Sequence, residues 1–313
     1  MKIDKTIVFM GTPEFAIPAL EALHEAGAAI PLVVTQPDRP KGRGKKCVPP
    51  PVKITAERLG YPVVQPESIR TVEFLKSIDE LKPECLVVVA FGHILVKPLL
   101  DIPKMGAINV HPSLLPKYRG PAPIQHSIIN GDRLTGVTTM LLDEGIDSGD
   151  MLLTETVEIR STDTSESLHH TLAEKGARLL IRSIEGLANH TIHPICQDHE
   201  RKTLAPMFKK ADGRINWQDS GNRIDCFVRG MYPWPGAFTD IHDKRHKIFK
   251  VQPVELDSTE LPGTVIDGGY DKLVVKAGQG AVTVLEIQSA SGKRLKINDF
   301  LRGNPIKPGT LLI

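Results

Sequence analysis

The chain has 313 residues, 41% apolar and 24% charged, with a formal net charge of +2. That length favours two domains, and that balance favours a folded chain with a sizeable core over disorder. No apolar run approaches the ~18 residues of a membrane span, and the cysteines at 47, 85, 196 and 226 include no Cys-x-x-Cys pair, which argues against a disulfide framework or a zinc ribbon.

Charge becomes informative once it is divided along the chain. Residues 206–313 hold 16 Lys and Arg against 12 Asp and Glu, whereas residues 1–205 hold 23 against 25. A positive C-terminal third suits either a polyanionic partner or a solvated basic face. The apolar stretch 6–10 is too short for a signal-peptide core and runs into Gly11-Thr12-Pro13, so a cytoplasmic location is expected.

In chain order, strands are expected at 6–10, 30–34, 85–90 and 106–110. Between the first two, residues 14–26 place Phe15, Ala19, Leu20, Ala22 and Leu23 near one helical stripe, with Gly27 as C-cap. The unit reads as βαβ, and alternation of this kind makes a Rossmann-like, mostly parallel α/β sheet. Residues 85–90, Cys-Leu-Val-Val-Val-Ala, suit a central strand covered on both faces. Strands at 136–142 and 151–159 flank a glycine-rich loop, 143–150. A long helix follows to about Asn189, with Asp163 as N-cap, Glu166 completing a capping box, and Leu168, Leu172, Leu179, Leu180, Ile184 and Leu187 as its buried stripe.

Neither period holds across 190–208, where Pro194 and Pro206 break continuation, and the segment reads as a linker. Beyond it the pattern turns to β-type stretches without long helices, at 238–241, 247–256, 263–266, 272–275 and 281–288. Five short strands suggest a small OB-like barrel. The expected domains are therefore 1–189 and 209–313.

Several motifs invite chemistry and fail. Gly11 after the first strand lacks the two further glycines of a dinucleotide fingerprint, and Pro13 removes an N–H. His190, His193, Cys196 and His199 recur every three residues, a spacing unlike paired zinc ligands, so no metal is expected. Ser113 lies in no Gly-x-Ser-x-Gly elbow.

The strongest local signal is 106–116. A strand there puts Asn109 and His111 on one face and Ile108 and Val110 on the other. The turn Ser113-Leu114-Leu115-Pro116 then falls at the carboxyl edge, where open α/β sheets bind ligands. Asp147, in the glycine-rich loop, is placed to bring a carboxylate to the same edge. Amide, imidazole and carboxylate suit acyl transfer to an amine, which needs donors for an oxyanion and a carrier for the proton released on attack.

Asn109-x-His111 with Ser113-Leu-Leu-Pro116, Asp147 in Gly-Ile-Asp-Ser-Gly, and the stretch from Gln36 to Lys46 together resemble the 10-formyltetrahydrofolate-dependent formyltransferases. The basic stretch, Ile215-Asn-Trp217, Tyr232-Pro-Trp-Pro235 and the C-terminal barrel narrow the resemblance to the methionyl-tRNA-directed members. It covers essentially the whole chain. It implies a catalytic domain at 1–189, a tRNA-binding OB-like domain at 209–313, 10-formyltetrahydrofolate as formyl donor and methionyl initiator tRNA as acceptor, with no membrane partner and a monomer as the working unit. Asn109 and His111 would serve the oxyanion, while Asp147 would orient and charge His111 and relay the proton.

By the same resemblance, Val89, Ala90, Phe91, Gly92, Ser113, Leu114, Leu115, Pro116 and Asp143 would line the folate cleft, with Phe91 and Ile94 candidates for the pterin. Arg39, Lys41, Arg43, Lys45 and Lys46, five cations in eight residues, would meet the tRNA acceptor end, Arg43 sensing its first base pair. Lys209, Lys210, Lys244, Arg245 and Lys247, with 293–296, would add a second basic surface. The rival readings are a formyl-folate enzyme acting on a small amine or on water, of which a glycinamide enzyme would need no barrel and a hydrolase usually carries a different N-terminal domain, and a non-catalytic RNA-binding protein, which would leave the Asn109, His111 and Asp147 set without a purpose.

Overall fold

The computed structural model describes residues 3–41, 46–269 and 271–313, with the backbone alone described at Lys41 and Lys46. Contacts divide the chain into two compact units. The first comprises Met1–Gly120, Leu134–Glu158 and His169–Ala205, the second Pro121–Arg133, Ile159–Leu168 and Pro206–Ile313.

In the first unit the strands are β1 (Thr6–Gly11), β2 (Ala29–Val34), β3 (Arg39–Lys41), β4 (Lys46–Val48), β5 (Val63–Val64), β6 (Cys85–Val89), β7 (Ala107–His111), β8 (Leu134–Leu141) and β9 (Met151–Glu158). All but β3 and β4 form one sheet in the order β5-β2-β1-β6-β7-β8-β9. The first five in that order run parallel, and β8 and β9 continue antiparallel. Every residue of β6 is buried, as a strand between two layers requires. Each such Val or Leu contributes about 1.5–3 kcal/mol. On one face Val8, Met10, Leu86 and Val88 pack with Phe74, Ile78 and Leu99.

From His169 onward the helix Ser165–Ala188 belongs to this unit and lies against β7 and β8. A Cβ added at Gly176 would sit 2.6 Å from Val110 Cγ1 and 3.2 Å from Val137 Cγ2, so only glycine lets the helix approach so closely. Ser183 Oγ and Thr139 Oγ1 hydrogen-bond at 2.6 Å across the same contact. The helix thus occupies the Val110 face of β7 and leaves Asn109 and His111 on the other.

Two expectations are corrected at the ends of elements. The helix cap is Thr164, not Asp163: Thr164 Oγ1 accepts the Ser167 N–H at 3.2 Å, and Ser167 Oγ accepts the Thr164 N–H at 3.0 Å. Asp163 instead accepts the Arg160 N–H and the Ser167 hydroxyl. The threonine and serine hydroxyls, one residue further in, form the reciprocal pair expected of Asp163 and Glu166. Residues 190–205 are tied to the first unit by backbone pairing: Met151 and Ile195 exchange two hydrogen bonds at 2.8 Å, and Arg119 pairs with Thr203 and Ala205. Pairing of this kind uses main-chain groups and leaves no side-chain period to read.

The second unit holds β10 (Phe238–Ile241), β11 (Lys244–Val254), β12 (Val265–Asp267), β13 (Leu273–Lys276), β14 (Ala281–Ser289) and β15 (Leu295–Lys296). They make an antiparallel sheet, β10-β11-β14-β13-β12 with β15 on β14. Its inner face packs Ile248, Leu273, Val275, Val282 and Ile287 with Ile224, Val228 and Phe300, an OB-like arrangement. This unit was expected to lack long helices, yet Gly221–Met231 is helical. Its signal was present in Ser220, which caps the Arg223 N–H, and in Ile224, Val228 and Met231 at helical spacing. Strand β11 starts three residues before its expected start at Lys247, because His242 and Asp243 at φ 49° and 59° turn the hairpin without the usual glycine. Among the described residues no helix is long and apolar enough to cross a membrane.

Candidate functional site

Strand β7 sets Asn109 opposite Val88 of β6 and Met140 of β8, and His111 opposite Thr138. Both side chains are buried, at 8% and 4% exposure. Beyond His111 the chain turns sharply, and Thr138 holds the turn: its hydroxyl donates to Ser113 O at 2.7 Å and accepts the Leu115 N–H at 3.2 Å. The Ser113 hydroxyl donates to Lys117 O at 2.6 Å, so it serves the turn rather than a nucleophile's role. Leu115 is buried, and Leu114 and Pro116 are half-buried.

The turn delivers Tyr118 to His111. His111 Nε2 lies 2.9 Å from the Tyr118 carbonyl oxygen. A carbonyl only accepts, so Nε2 carries the proton and donates it. The other ring nitrogen, Nδ1, lies 3.6 Å from Asp147 Oδ2. The same carboxylate oxygen accepts the Gly120 N–H at 2.8 Å. The structure thus brings His111 and Asp147 together although 36 positions separate them in the sequence. Three residues other than glycine at this edge take left-handed backbones: Ala90 at φ 46°, Tyr118 at 62° and Asp147 at 47°. Such conformations cost about 1–3 kcal/mol each and gather where function demands a geometry.

The stretch assigned to the folate cleft leaves the end of β6. Val89 is buried, and Ala90 and Gly92 are exposed. Phe91 is 2% exposed and packs in the core, while its carbonyl accepts from Thr12 Oγ1 at 3.0 Å and Gln36 Nε2 at 3.3 Å. Ile94 is exposed. Beside Gly92 opens a cavity of about 250 Å³ lined by Glu67, Ser68, Ile69, Arg70, His93 and Ile94. Burial, with Arg39 and Arg70 nearby, holds the His93 pKa below its usual value. Asp143 accepts from the Ser148 hydroxyl and the Gly145 N–H, shaping the loop that carries Asp147.

Of the basic stretch, Arg43 and Lys45 lie outside the described residues. Its flanks pair as the ribbon β3-β4, Arg39 against Val48 and Lys41 against Lys46, and Arg39 Nη2 donates to Gln36 Oε1 at 3.1 Å. In the second unit Lys209, Lys210, Lys244, Arg245 and Lys247 are exposed, with the Arg245 guanidinium 3.8 Å from the Phe238 ring centre.

Among the described residues no group of three or more His, Cys, Asp or Glu is placed to hold a metal. His199 Nδ1 instead lies 3.0 Å from Arg119 Nη2. Burial pushes the Cys85 thiol up to about 12, Asp150 raises Cys196 and burial raises Cys226; none of these three is a ready thiolate. Sequence reading missed Thr138, Tyr118, Arg119, Gly120 and Gln197, which act through main-chain groups or through one another.

Residues 4–184 match the family described as formyl transferase and residues 207–305 the formyl transferase C-terminal domain. A methionyl-tRNA formyltransferase of Citrifermentans bemidjiense is 48% identical over 306 residues, 98% of this chain and 96% of its own. One of Desulforamulus reducens is 47% identical over 307 residues, 98% and 97% of the two chains. Among solved structures, an N-formyltransferase of Helicobacter canadensis in complex with folinic acid and dTDP-3-aminofucose aligns at TM-score 0.68 and 18% identity, over 94% of this chain and all of that one. HypX of Aquifex aeolicus in complex with tetrahydrofolic acid aligns at 0.61 and 17%, over 96% of this chain and 47% of that one. Likeness at that identity concerns the fold.

Proposed function

The chain belongs to the formyltransferase family, and from that premise we propose that it moves the formyl group of 10-formyltetrahydrofolate to the α-amino group of methionyl initiator tRNA, giving N-formylmethionyl-tRNA. What carries the reading is identity of 47–48% to methionyl-tRNA formyltransferases along 98% of the chain.

The donor set suits the formyl donor. Val89, Ala90, Phe91 and Gly92 at the end of β6, the turn Ser113 to Pro116, and Asp143 would hold the folate, and Asn109 and His111 approach the reacting carbon from β7. The amine attacks the formyl carbon, a new C–N bond forms, and electrons move onto the formyl oxygen. The Asn109 amide and His111 Nδ1–H donate to that oxyanion; Nε2 is already committed to Tyr118. Preorganised donors of this kind act without reorganising when charge develops. An α-amino group with a pKa of about 7.7–8.0 is partly neutral at physiological pH, so the residues handle the proton after attack rather than before it. The Asp147 carboxylate, 3.6 Å from His111 Nδ1, orients the ring and takes the proton through water. As the bond to the folate nitrogen breaks, that nitrogen recovers the proton.

The basic ribbon flanks, with Arg43 and Lys45, would contact the acceptor end, and Lys209, Lys210, Lys244, Arg245 and Lys247 would add phosphate contacts. The reading is of a monomer, working in the cytoplasm where translation begins. Incubation with 10-formyltetrahydrofolate and methionyl initiator tRNA, beside free methionine and a small-amine control, tests it. Formylation of charged tRNA alone is expected, and comparable turnover of the small amine would transfer the reading to the rival class.

A further inference from the structure

Asp147 sits in an exposed glycine-rich loop, yet its backbone is fixed by a side chain 50 residues away. Gln197 Nε2 donates one proton to Asp147 O at 2.9 Å and the other to Gly149 O at 2.7 Å. Its Oε1 accepts two further bonds from Arg119, from Nε at 3.1 Å and Nη2 at 2.7 Å. The amide therefore has both donors and its acceptor engaged, and its flip is fixed: the end facing two carbonyls is nitrogen and the end facing a guanidinium is oxygen. Gln197 and Arg119 are 4% and 5% exposed. Buried polar groups so fully paired resist displacement, since breaking one bond strands another.

The loop has no slack to compensate. A Cβ added at Gly149 would lie 1.9 Å from Leu141 O, so the backbone is pressed against the end of β8 at the residue whose own carbonyl Gln197 holds. Arg119 is anchored in turn: its N–H donates to Thr203 O at 2.9 Å and its carbonyl accepts the Ala205 N–H at 2.8 Å. The three residues 118, 119 and 120 therefore each fix one part of the pair. Tyr118 O holds the His111 ring, Gly120 N–H holds the Asp147 carboxylate, and Arg119 holds Gln197, which holds the Asp147 backbone.

We infer that Gln197, locked by Arg119, is a positioning residue that keeps the Asp147 carboxylate facing His111 Nδ1, and that the segment 195–205 is a strap over the catalytic edge rather than a passive connector. The inference rests on the reading of Asp147 as a participant in formyl transfer. Glutamate at position 197 keeps the acceptor for Arg119 but presents a carboxylate to two carbonyls, so the clamp opens on one side with little change of volume.

The test is a double-mutant cycle on the full-length protein with methionyl initiator tRNA and 10-formyltetrahydrofolate, using Gln197→Glu, Asp147→Asn and the pair. A misplaced group of this kind costs about 10²-fold in rate, so Gln197→Glu should lower kcat by up to that factor with KM for both substrates little moved. The pair should be no slower than Asp147→Asn alone, because a clamp on an absent carboxylate has nothing to hold. Amide exchange supplies a second readout independent of turnover: the Gly120 N–H should exchange faster in Gln197→Glu while the amides of β6 and β7 keep their protection. Losses that multiply, or a parental kcat with Gly120 still protected, would overturn the clamp while leaving Asp147 in its role. An unimpaired Asp147→Asn would overturn both. Arg119→Lys, which keeps the charge and loses the fork, should repeat the Gln197→Glu pattern, and parental turnover there would remove Arg119 from the clamp.

Discussion

The carbonyl oxygen of Tyr118 takes the Nε2 proton of His111 at 2.9 Å, on the side of the ring away from Asp147. One nitrogen is thereby structural and the other chemical. In His111→Gln the side chain can still donate to Tyr118 O but offers no ring nitrogen toward Asp147. Turnover should fall by about 10²–10³, with the thermal midpoint close to the parent's. A similar midpoint with unimpaired turnover would show that Nδ1 takes no part.

Asn109 stands two residues before His111 on the same strand face, buried at 8% exposure. A donor to the oxyanion acts in the transition state more than in the bound complex, so its loss should appear in kcat rather than in folate affinity. Asn109→Ala is expected to reduce kcat by about 10²–10³ while folate binding, followed by fluorescence titration, stays near the parental value. Equal loss in both quantities would refute the assigned role.

What was legible before the structure follows from period and what was not follows from main-chain chemistry. Alternation along 107–111 is a property of extended backbone, so Asn109 and His111 could be placed on one face from sequence. The unbroken apolar run of β6 likewise announced a central strand. The pairing of His111 with Tyr118 and of Asp147 with Gly120 uses a carbonyl and an amide that every residue carries, so no residue type marks it. Gln197 was hidden differently. It lies in a segment whose histidines drew attention as possible ligands, whereas the glutamine beside them, with both ends of its amide engaged, does the holding.

Arg43 lies on the basic stretch between β3 and β4. Cations separated by glycines suit phosphate contact, so Arg43→Ala should leave folate binding and thermal stability unchanged. Reaction with methionyl initiator tRNA should weaken through KM. In the parent, log kcat/KM should fall linearly with log salt, and the slope should be shallower in the variant if a phosphate contact has gone. Salt-insensitive turnover of the parent would count against the whole tRNA-binding surface.

Glu84, just before β6, ties the start of two central strands. Its carboxylate accepts from Lys5 Nζ at 2.9 Å and from the Thr6 N–H at 3.0 Å, and these bonds, Lys5 first, hold its pKa below the ordinary carboxylate value against a smaller effect of burial. Because the folded-state pKa is the lower one, folding is favoured when the group is ionised. That contribution is complete above the unfolded-state value near ~4.3 and disappears as pH falls through the folded-state value. Both side chains are about one-third exposed, at 30% and 36%, so solvent screening keeps the contribution under about 1 kcal/mol. Glu84→Gln should therefore be slightly less stable than the parent in urea at pH 7, and the gap should close below about pH 4 as the parental carboxylate protonates. A gap of the same size at pH 7 and at pH 3 would mean that the side chain stabilises the strand entrance by shape or neutral hydrogen bonding, and not by its charge.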